Sequence, residues 1–119
     1  KLNNVVIASG DAHINAIGAV PLRDDEPDGP MAATEFMATS ISSNGDGAID
    51  SPNATRFLNE RNPYLKLCDN LRGYHTYDIT PSEWRTDVKA MDQVQRKGGT
   101  LTTRARFIVT PDKPQLHEA

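Results

Sequence analysis

The stretch Val5-Val6-Ile7-Ala8-Ser9-Gly10-Asp11-Ala12-His13 decides how the chain is read. Val5 to Ala8 form an unbroken apolar run, the pattern of a strand covered on both faces. Ser9-Gly10-Asp11 breaks it, and Gly10 lets the backbone turn without a steric penalty. Asp11 and His13, two apart on extended backbone, are expected to project together past the strand's C-terminal end. Open α/β sheets place their ligands there. A carboxylate and an imidazole at that place are a pair of metal ligands, the oxygen suited to a hard cation and the nitrogen to a softer one.

Working outward, Ile14 to Leu22 alternates loosely and suits a second strand or a short helix. Arg23 to Pro30 is acidic and rich in breakers, hence a solvated loop. Thr34 to Ser42 reads as a strand, with Phe36, Thr39 and Ile41 among its members. Ser43 to Ser51 is a loop, and Ser51-Pro52 predicts the start of a short helix that Asn62-Pro63 closes. From Tyr64 the chain is extended. Gly73 to Ile79, the turn Thr80-Pro81-Ser82-Glu83, and Trp84 to Ala90 predict a hairpin. Trp84, Thr86, Val88 and Ala90 share one of its faces, and Arg85, Asp87 and Lys89 share the other. Gln93 to Gly99 is a polar loop. Thr100 to Thr110 is a last strand with Leu101, Thr103, Ala105, Phe107 and Val109 on one face, and the tail after Pro111 is expected to fray. Five or six strands and one short helix leave too little cover for the first strand. Something else must pack on it.

With 119 residues, 37% of them hydrophobic, the chain holds one domain at most. Its mean hydropathy of −0.56 is low for a self-sufficient globule. A net charge of −3, with basic residues scattered and no run longer than Arg96-Lys97, argues against a nucleic-acid surface. No stretch approaches the roughly 20 apolar residues of a membrane span, and no signal peptide is visible. Cys68, the single cysteine, has no internal disulfide partner and reads as a small buried apolar residue. The opening at Lys1, so close to a core strand, suggests a proteolytic fragment or one chain of a nicked enzyme.

Two ligands do not complete a catalytic metal site, which takes three or more protein groups. His75, in the hairpin, and His117, in the tail, are expected to be exposed. Asn44-Gly45-Asp46-Gly47 with Asp50 lacks the spacing and terminal glutamate of an EF-hand and reads as a turn. Gly98-Gly99 is not a phosphate loop, Asn53-Ala54-Thr55 matches only a glycosylation acceptor pattern, and no nucleophile motif or triad is present. Partners for Asp11 and His13 therefore come from elsewhere. Two rival readings stand beside the enzyme: a non-enzymatic β-rich interaction module, and a calcium-binding surface using the acidic loop Asp24 to Asp28.

Several blocks, in order, resemble the C-terminal region of the alkaline phosphatase D family. They are Asn4-Val5-Val6-Ile7 with Gly10-Asp11-Ala12-His13, Glu35-Phe36-Met37-Ala38-Thr39-Ser40-Ile41-Ser42-Ser43, and Asn62-Pro63-Tyr64-Leu65-Lys66. Asn70-Leu71-Arg72-Gly73-Tyr74, Thr80-Pro81 with Trp84-Arg85, and Thr103-Arg104-Ala105-Arg106-Phe107 complete the series. The resemblance implies an α/β chain: residues 1–119 as the C-terminal, strand-rich part of one four-layer α/β/β/α metallophosphatase sandwich. It implies a metal-dependent alkaline phosphatase or phosphodiesterase that hydrolyses phosphate esters through a metal-bound water. Its cofactors would be Fe(3+) and Ca(2+), with Asp11 on the calcium side and His13 on the iron. The remaining ligands would lie on an upstream, N-terminal chain of the same enzyme, so this chain alone would be inactive and holds no catalytic residue of its own. Cys68 does not match the family's ligand cysteine. Export, to the medium or the periplasm, is implied as well.

Overall fold

A computed structural model describes residues 2, 4–26, 28–52, 62–111 and 113–119. Among them are eight strands: β1 (Val5–Ser9), β2 (Asn15–Pro21), β3 (Met31–Met37), β4 (Leu65–Asp69), β5 (Gly73–Ile79), β6 (Trp84–Met91), β7 (Leu101–Thr110) and β8 (Lys113–Glu118). They form two four-stranded sheets, one in the order β1-β3-β2-β4 and the other the meander β5-β6-β7-β8. In the first sheet β1 runs parallel to β3, from Val5 opposite Ala33 to Ser9 opposite Met37. The other pairings are antiparallel.

The sheets share one core. Ile17, Phe36 and Leu67 from the first meet Val88, Phe107 and Val109 from the second, with Val6, Tyr77, Trp84, Ala105 and Leu116 around them. Phe36 sits at its centre, its ring stacked on Trp84 at 6.3 Å with 10° between planes and tilted against Phe107 and Tyr77 at 6.5 and 6.0 Å. Offset and tilted ring pairs at these separations add to the area each ring buries. Trp84 also donates from Nε1 to Thr86 Oγ1 at 2.9 Å, so its polar end is satisfied at the edge of the core.

The predicted hairpin forms as written: Gly73 to Ile79 pairs with Ala90 to Trp84 across the Thr80–Glu83 turn. Thr86, Val88 and Ala90 are buried, while Arg85 is exposed. Among the described residues β1 pairs with β3 alone, at the sheet edge, and Ile7 is 38% exposed, so the cover expected on its second face does not come from them. Other expectations are corrected. The strand expected over Thr34 to Ser42 is β3, Met31–Met37, which leaves Thr39 and Ile41 in the following loop. In β7 one face does not run unbroken from Leu101 to Val109. The register shifts opposite Val88 and Lys89, where Ala105 and then Thr103 find partners and Arg104 is the extra residue. Such a bulge reverses which face each side chain takes, so Leu101 is exposed while Phe107 and Val109 are buried. The tail does not fray but forms β8, paired with β7, and brings Leu116 against the core. The helix expected between Ser51 and Asn62 falls on residues 53–61, outside the described residues.

One rim of the sandwich gathers the loops. Because β1 and β3 are parallel and β4 is antiparallel to β2, all three of these strands end there and β2 begins there. The loop of residues 10–14, the loop that starts at residue 38, and the link 70–72 into β5 therefore lie side by side.

Candidate metal site at the loop rim

Asp11 and His13 both lie in the loop between β1 and β2, but not on extended backbone. Their φ angles are 74° and 58°, in the left-handed region, so alternation does not set their directions. Asp, Asn and His are the side-chain-bearing residues that enter this region most readily, and local strain of this kind gathers at functional sites. Asp11 is exposed and no described residue binds its carboxylate, whereas His13 is half-buried. Its Nδ1 is 2.9 Å from the amide Nδ2 of Asn44, itself left-handed at φ 70°.

The loop is held from beneath by Arg72, which is only 2% exposed. Its Nη1 donates to the carbonyl of His13 at 2.9 Å, to Thr39 Oγ1 at 3.2 Å and to Ser40 Oγ at 2.9 Å, and its Nε donates to the carbonyl of Gly45 at 2.9 Å. One guanidinium, with several donors in a rigid plane, thus ties three loop segments together. Gly47, at φ 73°, completes the packing: a Cβ there would run into the carbonyl of Asn70.

Under Arg72 lies a second buried polar group. Asn15 donates to Asp69 Oδ1 at 2.8 Å and accepts at Oδ1 from the backbone N–H of Thr39 at 3.3 Å. His75 Nε2 donates to the same oxygen at 2.9 Å, and Tyr77 donates its hydroxyl to His75 Nδ1 at 3.3 Å. His75 is therefore neutral and half-buried, and burial pushes its pKa down to about 4. Arg104, the bulge residue, brings Nε within 3.3 Å of the fully buried Asp69 Oδ2. The expectation that His75 is exposed is corrected by this network, while His117, on β8, is exposed.

Asp11 and His13 offer one free carboxylate and one imidazole whose Nε2 meets no described side chain, a donor set that fits a cation. Among the described residues no group of three or more His, Cys, Asp or Glu could hold an ion, so further ligands are needed to close such a site. In the acidic loop Arg23 lies 3.3 Å from both Asp25 and Glu26, all of them exposed. Cys68 is buried in β4, where its thiol is pushed up by desolvation and then by Asp69. Asp46, in the turn after Asn44, accepts from the backbone N–H groups of Val94 and Gln95 at 2.7 and 3.0 Å, a structural role. Sequence reasoning missed Asn44, Arg72 and Asn15. Arg72 stood inside one of the resembling blocks, and Asn44-Gly45 carried the mark of a left-handed turn.

The described chain is thus a two-sheet β-sandwich whose loop rim carries Asp11 and His13. The model of the PhoD-like phosphatase family matches residues 1–88, and the chain belongs to that family. It is 32% identical over 118 residues to alkaline phosphatase D of Bacillus subtilis (strain 168), which covers 99% of this chain and 20% of that protein. A solved structure described as the structure of PhoD superposes on all of the chain with a TM-score of 0.90 and 30% identity, over 23% of its own length. The chain thus spans about a fifth of the curated relative it matches. No helix among the described residues is long and apolar enough to cross a membrane.

Proposed function

We propose that the chain is the C-terminal part of a metal-dependent phosphoesterase, with Asp11 and His13 as two of its metal ligands. The observation that carries this reading is His13 itself: a left-handed residue with its carbonyl clamped by Arg72, its Nδ1 engaged and its Nε2 open. Membership of a phosphatase family supports the same chemistry. Asp11, a hard oxygen donor, suits calcium, and the His13 imidazole suits iron. Bound cations at this rim would neutralise phosphate oxygens and acidify the water that attacks phosphorus. Within that scheme this chain's residues hold and orient. Asp11 and His13 fix the cations' place relative to the sheet, and Arg72 keeps the His13 loop from relaxing out of its left-handed turn. An upstream segment of the same enzyme supplies the remaining ligands and the other layers of a four-layer α/β/β/α sandwich, residues 1–119 forming its C-terminal part. The enzyme is exported, as the resemblance implies, and its substrates are phosphate monoesters or diesters.

The test is substitution in the assembled enzyme. Asp11→Asn and His13→Ala are each expected to abolish hydrolysis of p-nitrophenyl phosphate and to lower calcium or iron content respectively. Near-normal turnover with unchanged metal content in both variants would overturn the assignment.

A further inference from the structure

We infer that Asn44 is a positioning residue for His13: its side-chain amide commits Nδ1 and so makes Nε2 the nitrogen that faces a cation. The inference rests on the reading of His13 as a ligand. An imidazole on an exposed loop can rotate about χ2 and offer either nitrogen, and a metal site needs one of them in one place. Here the choice is made by a residue 31 positions away in the chain, 2.9 Å from Nδ1.

The Asn44 side chain is exposed, but its left-handed φ of 70° belongs to a turn whose backbone is pinned at several points. Arg72 Nε binds the carbonyl of the next residue, Gly45, at 2.9 Å. Asp46 Oδ1 holds Val94 N at 2.7 Å, and Ala48 N donates to Asn70 Oδ1 at 2.7 Å. The same Arg72 binds the His13 carbonyl at 2.9 Å, so one buried guanidinium holds the backbone of His13 and of the residue next to Asn44.

The amide can serve both states of the ring. With Nδ2 donating to Nδ1, the neutral ring carries its proton on Nε2. Half a turn of the amide presents Oδ1, which accepts from an Nδ1–H and leaves the Nε2 lone pair bare. Only the second arrangement makes His13 a ligand, and a side chain that retains the acceptor oxygen is enough to hold it.

The experiment uses the assembled enzyme and reads iron retained against a graded chelator, measured by atomic absorption and independent of turnover. Asn44→Gly tolerates the left-handed backbone and removes the amide. It is expected to weaken iron retention about 10- to 100-fold, the usual size of such outer contacts, with an unchanged unfolding midpoint. Asn44→Asp keeps an acceptor and tolerates the same φ; it is expected to retain iron within about threefold of the parent. Parent-like retention in Asn44→Gly, or equal losses in Asn44→Gly and Asn44→Asp, would overturn the role of Asn44. His13→Ala separates the two levels. If it loses iron while Asn44→Gly does not, only the Asn44 inference fails; if it too retains iron, the metal-site reading fails.

Discussion

The two sheets meet in one core yet differ on their outer faces. On the second sheet the outer face of β6 and β7 is charged: Arg106 and Lys89 lie 3.4 and 3.9 Å from Asp87, and Arg85 lies 3.4 Å from Glu83. On the first sheet, alternation away from Ile17 and Phe36 leaves Val5, Ile7, Ala16, Val20 and Met37 on the far side, with Glu35 accepting from Ser9 Oγ at 2.7 Å. A charged face needs only water, whereas an apolar one is stable under a further layer. Within this chain the second sheet therefore presents a solvated outer face and the first an apolar one. The first sheet also carries the loop of Asp11 and His13.

The largest expected effect tests whether the two sheets share one core. Phe36→Ala removes the ring that touches both and is expected to cost about 3–5 kcal/mol. Urea unfolding followed by the fluorescence of Trp84, on the opposite sheet, should report the whole loss. A transition at the parent midpoint would mean that the sheets unfold separately.

A somewhat smaller effect probes the polar layer between core and rim. His75 has a pKa of about 4 in the fold against an ordinary 6.5, because burial disfavours its charged form. Above pH 6.5 it is neutral in both states and costs nothing. As pH falls from 6.5 toward 4, the unfolded chain takes up a proton that the folded chain refuses, and stability falls by about 1.4 kcal/mol per pH unit, to a total of about 3 kcal/mol. Stability measured across this window should flatten in His75→Gln. A slope equal to the parent's would place the pH sensitivity elsewhere.

The smallest effect concerns the charged face of the second sheet. Arg106 is about half exposed beside Asp87, and Arg106→Ala is expected to change stability by less than about 1 kcal/mol, with the difference fading at high salt. A larger, salt-independent loss would show that this face is not merely solvated.

Much of the architecture was legible locally. The Gly73–Ala90 hairpin was readable because its period-two alternation and the Thr80-Pro81-Ser82-Glu83 turn agree. The short run Val5 to Ala8 announced a strand, and the scarcity of helix in the rest of the sequence already said that this chain does not cover it fully, as the 38% exposure of Ile7 bears out. β8 was missed because Lys113 to Glu118 is polar in sequence and becomes a strand by pairing with β7. The Arg104 bulge was missed because one inserted residue leaves composition unchanged while reversing the face of Leu101 and Thr103.

The sequence by itself determined the hairpin and the buried cysteine, since these follow from neighbours a few residues apart. Tertiary structure alone decided that Arg72, 59 positions from His13, grips its carbonyl, and that Asn44 takes its Nδ1. Those contacts join loops that a parallel β1–β3 pairing brings to one rim, and no periodicity along the chain encodes which loops will meet. Local order is set by backbone geometry; the site is set by what folding places side by side.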